Sequence, residues 1–241
     1  FGLKGYLIAI AFTPFISLLW FKKENLKPIT ENFSFNKKEI WNYGLHSSGT
    51  ALLSDALFSA DVLLLSFLMN ETAVANYKVA ILIPANITFL ALTFMQSDFP
   101  MLAKNYQNRN FLCNYIKNYY KIFIPISALI FLIGVIFKSE ILHLFFSAKY
   151  SDNSLLFSIL LGGFCLNMLF RNLYGNLLSA VGKMKVNTLI SALTLLLIFG
   201  FSFLFVPKFG IDGMGISLSL TLLLNGLLLM FSFLYYLKNL K

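Results

Sequence analysis

The chain has 241 residues, of which 58% are hydrophobic and only 12% charged, with a formal net charge of +9. A soluble domain carries roughly 25% charged residues, so this composition excludes an ordinary soluble protein. The apolar residues fall in long blocks, and the bilayer admits such blocks as helices because lipid cannot satisfy an open sheet edge. The chain therefore reads as an all-α polytopic transmembrane bundle of about seven spans, near residues 5–21, 43–68, 76–98, 122–137, 154–180, 186–206 and 214–237.

The first block, 5–21, is followed by a basic stretch holding Lys22, Lys23, Lys27, Lys37 and Lys38. The second contains "LSDALFSADVLLLS", with Asp55 and Asp61 inside an apolar run. A charge at the bilayer centre costs roughly 2.5–3.5 kcal/mol on insertion scales, so these acids need a reason to be there. At about 100° per residue, Ser48, Ser59 and Ser66 cluster within about 40° of Asp55. Ser47, Ser54 and Asp61 lie about 80–120° away on one side, with Thr50 just beyond, and Leu45, Leu52, Ala56, Leu63 and Phe67 are expected on the opposite, lipid-facing side. Asp55 falls near mid-span and Asp61 about 9 Å further along. Two readings stand for the acids: hydrogen bonding to neighbouring helices across the bundle, or lining a water-filled cavity that binds a cation, a proton or a polar substrate. The 120° between them argues against one shared-proton pair and for separate roles, Asp61 being the better candidate for the structural one.

The third span carries Lys78 near one end and Asn86, Gln96 and Asp98 along its length. After it come Lys104, Arg109, Lys117 and Lys121, then a short fourth span. The fifth contains "NMLFRNLYGN", where Asn167, Arg171 and Tyr174 are spaced by four and three and so share a helical face. Arg171 either snorkels to the interface or points inward, where its guanidinium suits a phosphate or an acidic sugar. Lys183 and Lys185 precede the sixth span, Asn225 sits mid-way along the seventh, and Lys238 and Lys241 end the chain. Pro14, Pro84 and Pro125 fall inside spans and mark expected kinks.

Only Lys138, Lys149 and Lys208 lie in the alternate loops, so the positive-inside rule places the basic loops and the C-terminus in the cytoplasm and the first residue outside. The net charge is then a topology signal, with anionic lipid headgroups and not nucleic acid as its partner. A chain starting at Phe1 on the outer side, with no initiator Met, reads as a piece of a longer protein. Cys113 and Cys165 have no disulfide or metal spacing, His46 and His143 stand alone, and phosphate-binding loops and nucleophile elbows are not found. With no outer loop longer than roughly 16 residues against the 50 or more of a folded domain, an enzyme is not expected, and no cofactor or metal is implied.

"DVLLLSFLMNETAVANYKVA", "FPMLAKNY", "LFFSAKYSDNSLLFSILLGG", "GNLLSAVGKMKVN" and "VPKFGIDGMGISLSL", in that order, resemble the second half of bacterial polysaccharide transporters. These are the O-antigen and lipid-linked oligosaccharide flippases of the multidrug/oligosaccharidyl-lipid/polysaccharide exporter superfamily. The resemblance covers essentially the whole chain and departs after "GIDG", where Met214 and Gly215 stand in place of small alanines. It implies two six-helix lobes around a central cavity. Residues 1–21 would then be the last helix of the first lobe, 22–40 the cytoplasmic inter-lobe linker, 41–237 the second lobe and 238–241 a tail.

The implied activity is alternating-access flipping of an undecaprenyl-pyrophosphate-linked sugar unit across the bacterial inner membrane, for O-antigen or capsule synthesis. A polysaccharide polymerase and a chain-length regulator are the implied protein partners. From depth and helical face, Arg171, Asp55, Asp61, Asn167, Tyr174, Lys78 and Asn225 are the candidate substrate-binding residues. The rivals are a cation-coupled drug or metabolite antiporter of the same superfamily and, further off, a membrane-embedded glycosyltransferase or polymerase.

Overall fold

A computed structural model of the chain describes Phe12 and residues 36–146 and 148–240. The first expected span and most of the expected linker lie outside the described residues. The remainder is a helical bundle: α1 (Lys37–Leu68), α2 (Glu71–Ile87), α3 (Phe89–Lys104), α4 (Arg109–Ile136), α5 (Lys138–Phe146), a 3-10 turn (Ala148–Asn153), α6 (Ser154–Leu169), α7 (Arg171–Ala180) and α8 (Met184–Asn239).

Local chemistry sets the boundaries. Asn70 caps α2, its side chain accepting from the Ala73 amide at 2.9 Å, and Asn108 caps α4 by accepting from Phe111 at 3.0 Å; each satisfies a donor that the first helical turn leaves free. At the end of α7, Gly182 has φ 77°. The Lys183 amide bonds back to Leu178 at 2.8 Å and the Gly182 amide to Ser179 at 3.1 Å. This is the six-to-one and five-to-two pairing of a Schellman stop, which favours glycine at its left-handed position.

Five helices among the described residues are long and apolar enough to cross a membrane: Lys37–Leu68, Glu71–Lys104, Arg109–Ile136, Ser154–Ala180 and Met184–Asn239. Five rather than seven helices meet this description: the block expected at 5–21 lies outside the described residues and is not tested, and the blocks expected at 186–206 and 214–237 fall within one 56-residue run interrupted at Gly210. That run is not straight, because Gly210 adopts φ 59°, ψ −134°. Asn225 Nδ2 donates to Thr194 Oγ1 at 2.8 Å, and the Ser202 hydroxyl lies 3.3 Å from Met214 Sδ. Residues as far apart as 194 and 225 would be about 46 Å distant on a straight helix, so the chain reverses at Gly210 and residues 184–209 and 211–239 pair antiparallel. The sequence blocks at 186–206 and 214–237 lie on either side of this reversal, with Pro207, Lys208, Gly210 and Asp212 between them.

The fourth span also differs, α4 beginning at Arg109 rather than near residue 122. Helix α4 runs through Pro125 without interruption, whereas α2 ends at Ile87, three residues past Pro84, and α3 restarts at Phe89.

The segment α6–α7 is the hub. Half of its most apolar window is buried, against 22–28% in the other four helices, and α6 packs against α2, α4 and α8 while α7 packs against α3 and α8. Two large apolar clusters flank it lengthwise. One joins Leu57, Leu64, Tyr77, Leu160, Phe164 and Leu218. The other, towards the end bearing Lys104, Lys183 and Lys238, is aromatic, with Tyr119 stacked on Phe123 at 4.4 Å between centroids and Tyr174 against Phe233 at 5.9 Å. Glycines permit the closest approaches: a Cβ on Gly163 would lie 2.8 Å from the Ser219 Cα, and one on Gly226 would lie 3.0 Å from the Arg171 amide nitrogen. Small residues at helix crossings are what brings backbones together where lipid supplies no hydrophobic drive.

Candidate functional site

Helix α1 resolves the two aspartates in opposite directions. Its buried face is Leu57, Ala60, Asp61, Leu64 and Leu65, centred about 200° from Asp55. Asp61 is 1% exposed, and one carboxylate oxygen accepts from the Tyr77 hydroxyl at 2.8 Å while the other accepts from the Val62 amide at 2.6 Å. Tyr77 is itself fully buried. The pair satisfies a carboxylate inside apolar surroundings and ties α1 to α2.

Asp55 is exposed, together with Ser48, Ser59 and Ser66, so the polar stripe lies on the surface of the bundle and not inside it. Leu45, Leu52, Leu63 and Phe67 are each about 70–80% exposed, as a lipid-facing set should be. They adjoin the polar stripe rather than opposing it, because Leu52 and Leu63 lie only about 60–80° from Asp55. The opposite side is the packed one.

The inward polar chemistry is gathered around Arg171. The bend at Phe170 (φ −109°, ψ −65°) separates α6 from α7 and makes Arg171 the first residue of α7. Its guanidinium turns to α1, where Nη2 donates to Ser54 Oγ at 2.9 Å and the group lies 5.5 Å from the centroid of the Phe58 ring. It is nine residues, or about 14 Å, from the end of α7, and it points inward rather than snorkelling. A cavity of about 160 Å³ opens beside it, lined by Thr50, Ser54, Asn172, Asn176, Asn187 and Ser191 together with Leu92, Gly175, Ser179 and Leu229.

The hydrogen bonding around this cavity is uneven. Asn187 Nδ2 donates to the Gly175 carbonyl at 3.0 Å and to Ser179 Oγ at 3.2 Å, Asn176 Nδ2 to the Asn172 carbonyl at 2.7 Å, and Thr50 and Thr188 hydroxyls meet at 2.9 Å. Asn172 Nδ2, by contrast, is buried with no hydrogen-bond partner among the described residues. Arg171 commits one donor to Ser54, and among the described residues no carboxylate lines the cavity. Among the described residues the cavity thus presents spare donors and a cation with no carboxylate beside it, an arrangement chemically suited to an anion or an acceptor-rich group such as a phosphoryl or a sugar.

Of the seven candidate residues only Arg171 lines this cavity. Tyr174 faces the aromatic cluster, its hydroxyl accepting from Tyr120 at 3.2 Å. Asn167 and Asn225 are 1% exposed and each keeps an unpartnered Oδ1 among the described residues, while Lys78 is on the surface. The expected common face of Asn167, Arg171 and Tyr174 is divided by the bend at Phe170. Sequence reading missed Asn172, Asn176 and Asn187. The i, i+4, i+7 spacing of Asn172, Asn176 and Ser179 carried the signal, but a polar face on one helix does not name the helix it meets. Among the described residues no group of three or more His, Cys, Asp or Glu could hold a metal ion.

The chain is 24% identical over 232 residues to a Shigella flexneri protein named "Putative O-antigen transporter"; the match covers 94% of this chain and 55% of that one. The chain thus spans about half the length of the curated relative it matches. No family model matches the chain, and no solved structure matches it. The likeness and the helical architecture together support a multi-pass membrane transporter.

Proposed function

We propose that the chain forms the second half of a transporter that flips undecaprenyl-pyrophosphate-linked oligosaccharide units across the bacterial cytoplasmic membrane for surface polysaccharide synthesis, without enzymatic chemistry of its own. The observation that carries this reading is the inward guanidinium of Arg171 beside a donor-rich cavity that no carboxylate lines among the described residues. An intramembrane cation facing protein rather than lipid marks a substrate or ion route, and the head of such a substrate is a pyrophosphate followed by hydroxyl-rich sugars. The name of the Shigella flexneri relative agrees with this substrate class.

Asp55 and the serines beside it belong to a second polar surface. In a two-lobe transporter that surface faces the cavity between lobes, where Asp55 meets sugar hydroxyls or a coupling cation. Asp61 is assigned to structure. Basic loops and the C-terminal tail lie in the cytoplasm on this reading.

The test is complementation of a strain lacking its own flippase. The full-length protein should restore surface glycan, and Arg171→Ala should abolish restoration at unchanged membrane abundance. Wild-type glycan with both Arg171→Ala and Asp55→Asn would overturn the site assignment. A protein that confers drug resistance on overexpression, and leaves glycan export unaffected, would instead be the antiporter.

A further inference from the structure

A second cavity, of about 370 Å³, lies at the basic end of the bundle, remote in sequence from the Ser54–Arg171 contact, and is lined by Leu178, Lys183, Val186, Ser232, Tyr235, Tyr236, Asn239 and Leu240. Its volume falls within the roughly 300–1,000 Å³ of small-ligand sites. Its polar groups are placed by two ordered elements. Ser232, Tyr235, Tyr236 and Asn239 are spaced three, one and three apart near the end of α8 and so share one face. Lys183 is fixed opposite them by the Schellman stop of α7, its amide bonded to Leu178 at 2.8 Å.

The Lys183 ammonium lies 5.9 Å from the centroid of the Tyr236 ring, and the Tyr236 hydroxyl donates to the Tyr106 carbonyl at 2.9 Å, which anchors that ring to the α3–α4 connection. Lys183 therefore stands over a ring with a fixed position.

Among the described residues that line this cavity the charged side chain is a cation, Lys183. Residues 153–240, which supply every lining side chain, contain a single acid, Asp212. It stands beside Gly210, at the reversal of α8 and the opposite end of the bundle. Lys185 and Lys238 flank the cavity in sequence. Tyr235 is 71% exposed, and together with Tyr236 makes the amphipathic aromatic pair typical of the headgroup level of a membrane. Leu178, Val186 and Leu240 line the same cavity with apolar surface.

We infer that this cavity is a binding site for the headgroup of an anionic phospholipid in the leaflet at the basic end of the bundle. The phosphate meets Lys183, the headgroup hydroxyls meet Ser232, Tyr235 and Asn239, and the acyl chains leave along the leucines into the bilayer. A basic pocket between transmembrane helices at this depth is the arrangement that retains acidic lipid. The site does not depend on the identity of the transported substrate.

The test uses the full-length protein in detergent, with lipid retention read by native mass spectrometry after mixing with phosphatidylglycerol or phosphatidylcholine. The protein should retain phosphatidylglycerol over phosphatidylcholine. Lys183→Gln should reduce phosphatidylglycerol retention about five-fold, the size expected for one lysine at an anionic surface, whereas Lys208→Gln, at the opposite end, should leave it unchanged. Ser232→Ala provides a second lining variant if Lys183→Gln does not fold, and should weaken retention in the same direction. Equal retention of the two lipids, or an undiminished level in the lining variants, would overturn the proposal. So would displacement of all bound phosphatidylglycerol by inorganic phosphate, which would identify the site as one for free anion.

Discussion

Arg171 donates to the Ser54 hydroxyl at 2.9 Å, joining the start of α7 to the middle of α1 across residues 117 positions apart. The contact holds a guanidinium inside the bundle by a neutral partner, leaving its charge for a ligand. Arg171→Ala should therefore abolish glycan export in the full-length protein. Arg171→Lys should restore it only in part, because an ammonium cannot reach Ser54 and a phosphoryl oxygen with the planar fork of arginine. Surface polysaccharide resolved on gels, normalised to membrane abundance, checks both. Full activity with lysine would mean that charge alone suffices.

Asp61 and Tyr77 form a buried pair whose hydrogen bond is 2.8 Å long. Tyr77→Phe removes the donor and leaves a carboxylate oxygen without it, which should cost about 1–3 kcal/mol, read as a lower midpoint of thermal unfolding in detergent. Asp61→Asn should cost less, since it removes the buried charge and keeps an acceptor oxygen. A Tyr77→Phe protein of unchanged stability that fails to export glycan would assign the pair to transport.

Helix contact predicts a contrast between two glycines. Gly163→Ala would drive a Cβ to within 2.8 Å of the Ser219 Cα, backbone that cannot swing aside, and should destabilise by about 1–3 kcal/mol through overpacking. Gly200 has nothing within 4 Å of its Cβ position; Gly200→Ala should be neutral or stabilise by up to about 1 kcal/mol, from helix propensity. Unfolding midpoints of the two variants give the comparison.

The exposure of Asp55 predicts chemical accessibility. In full-length protein from which every native cysteine, Cys113 and Cys165 included, has been replaced by serine, a cysteine introduced by Asp55→Cys should react with a water-soluble maleimide in membranes. One introduced by Leu52→Cys, on the exposed apolar stripe, should react far more slowly. Equal protection of both would place Asp55 against protein or lipid rather than in a wet cavity.

The sequence by itself determined the class of molecule. Long apolar blocks with few charges can only be membrane helices, and the exposed Leu45, Leu52, Leu63 and Phe67 could be named from a helical wheel. The grouping of Ser48, Ser59 and Ser66 with Asp55 was legible for the same reason, because angular position on one helix is fixed by sequence spacing, but that this stripe is exposed was not. The structure alone decided what crosses between helices. That Asp61 meets Tyr77, that Arg171 turns to Ser54 and that Asn172, Asn176 and Asn187 close one cavity all depend on which faces pack together. The bend at Phe170 likewise lies in backbone angles that an unbroken apolar pattern does not record. Helical periodicity sets which side chains lie together on one helix, whereas a binding site needs donors from several, and close packing of small residues such as Gly226 against Arg171 decides which ones meet.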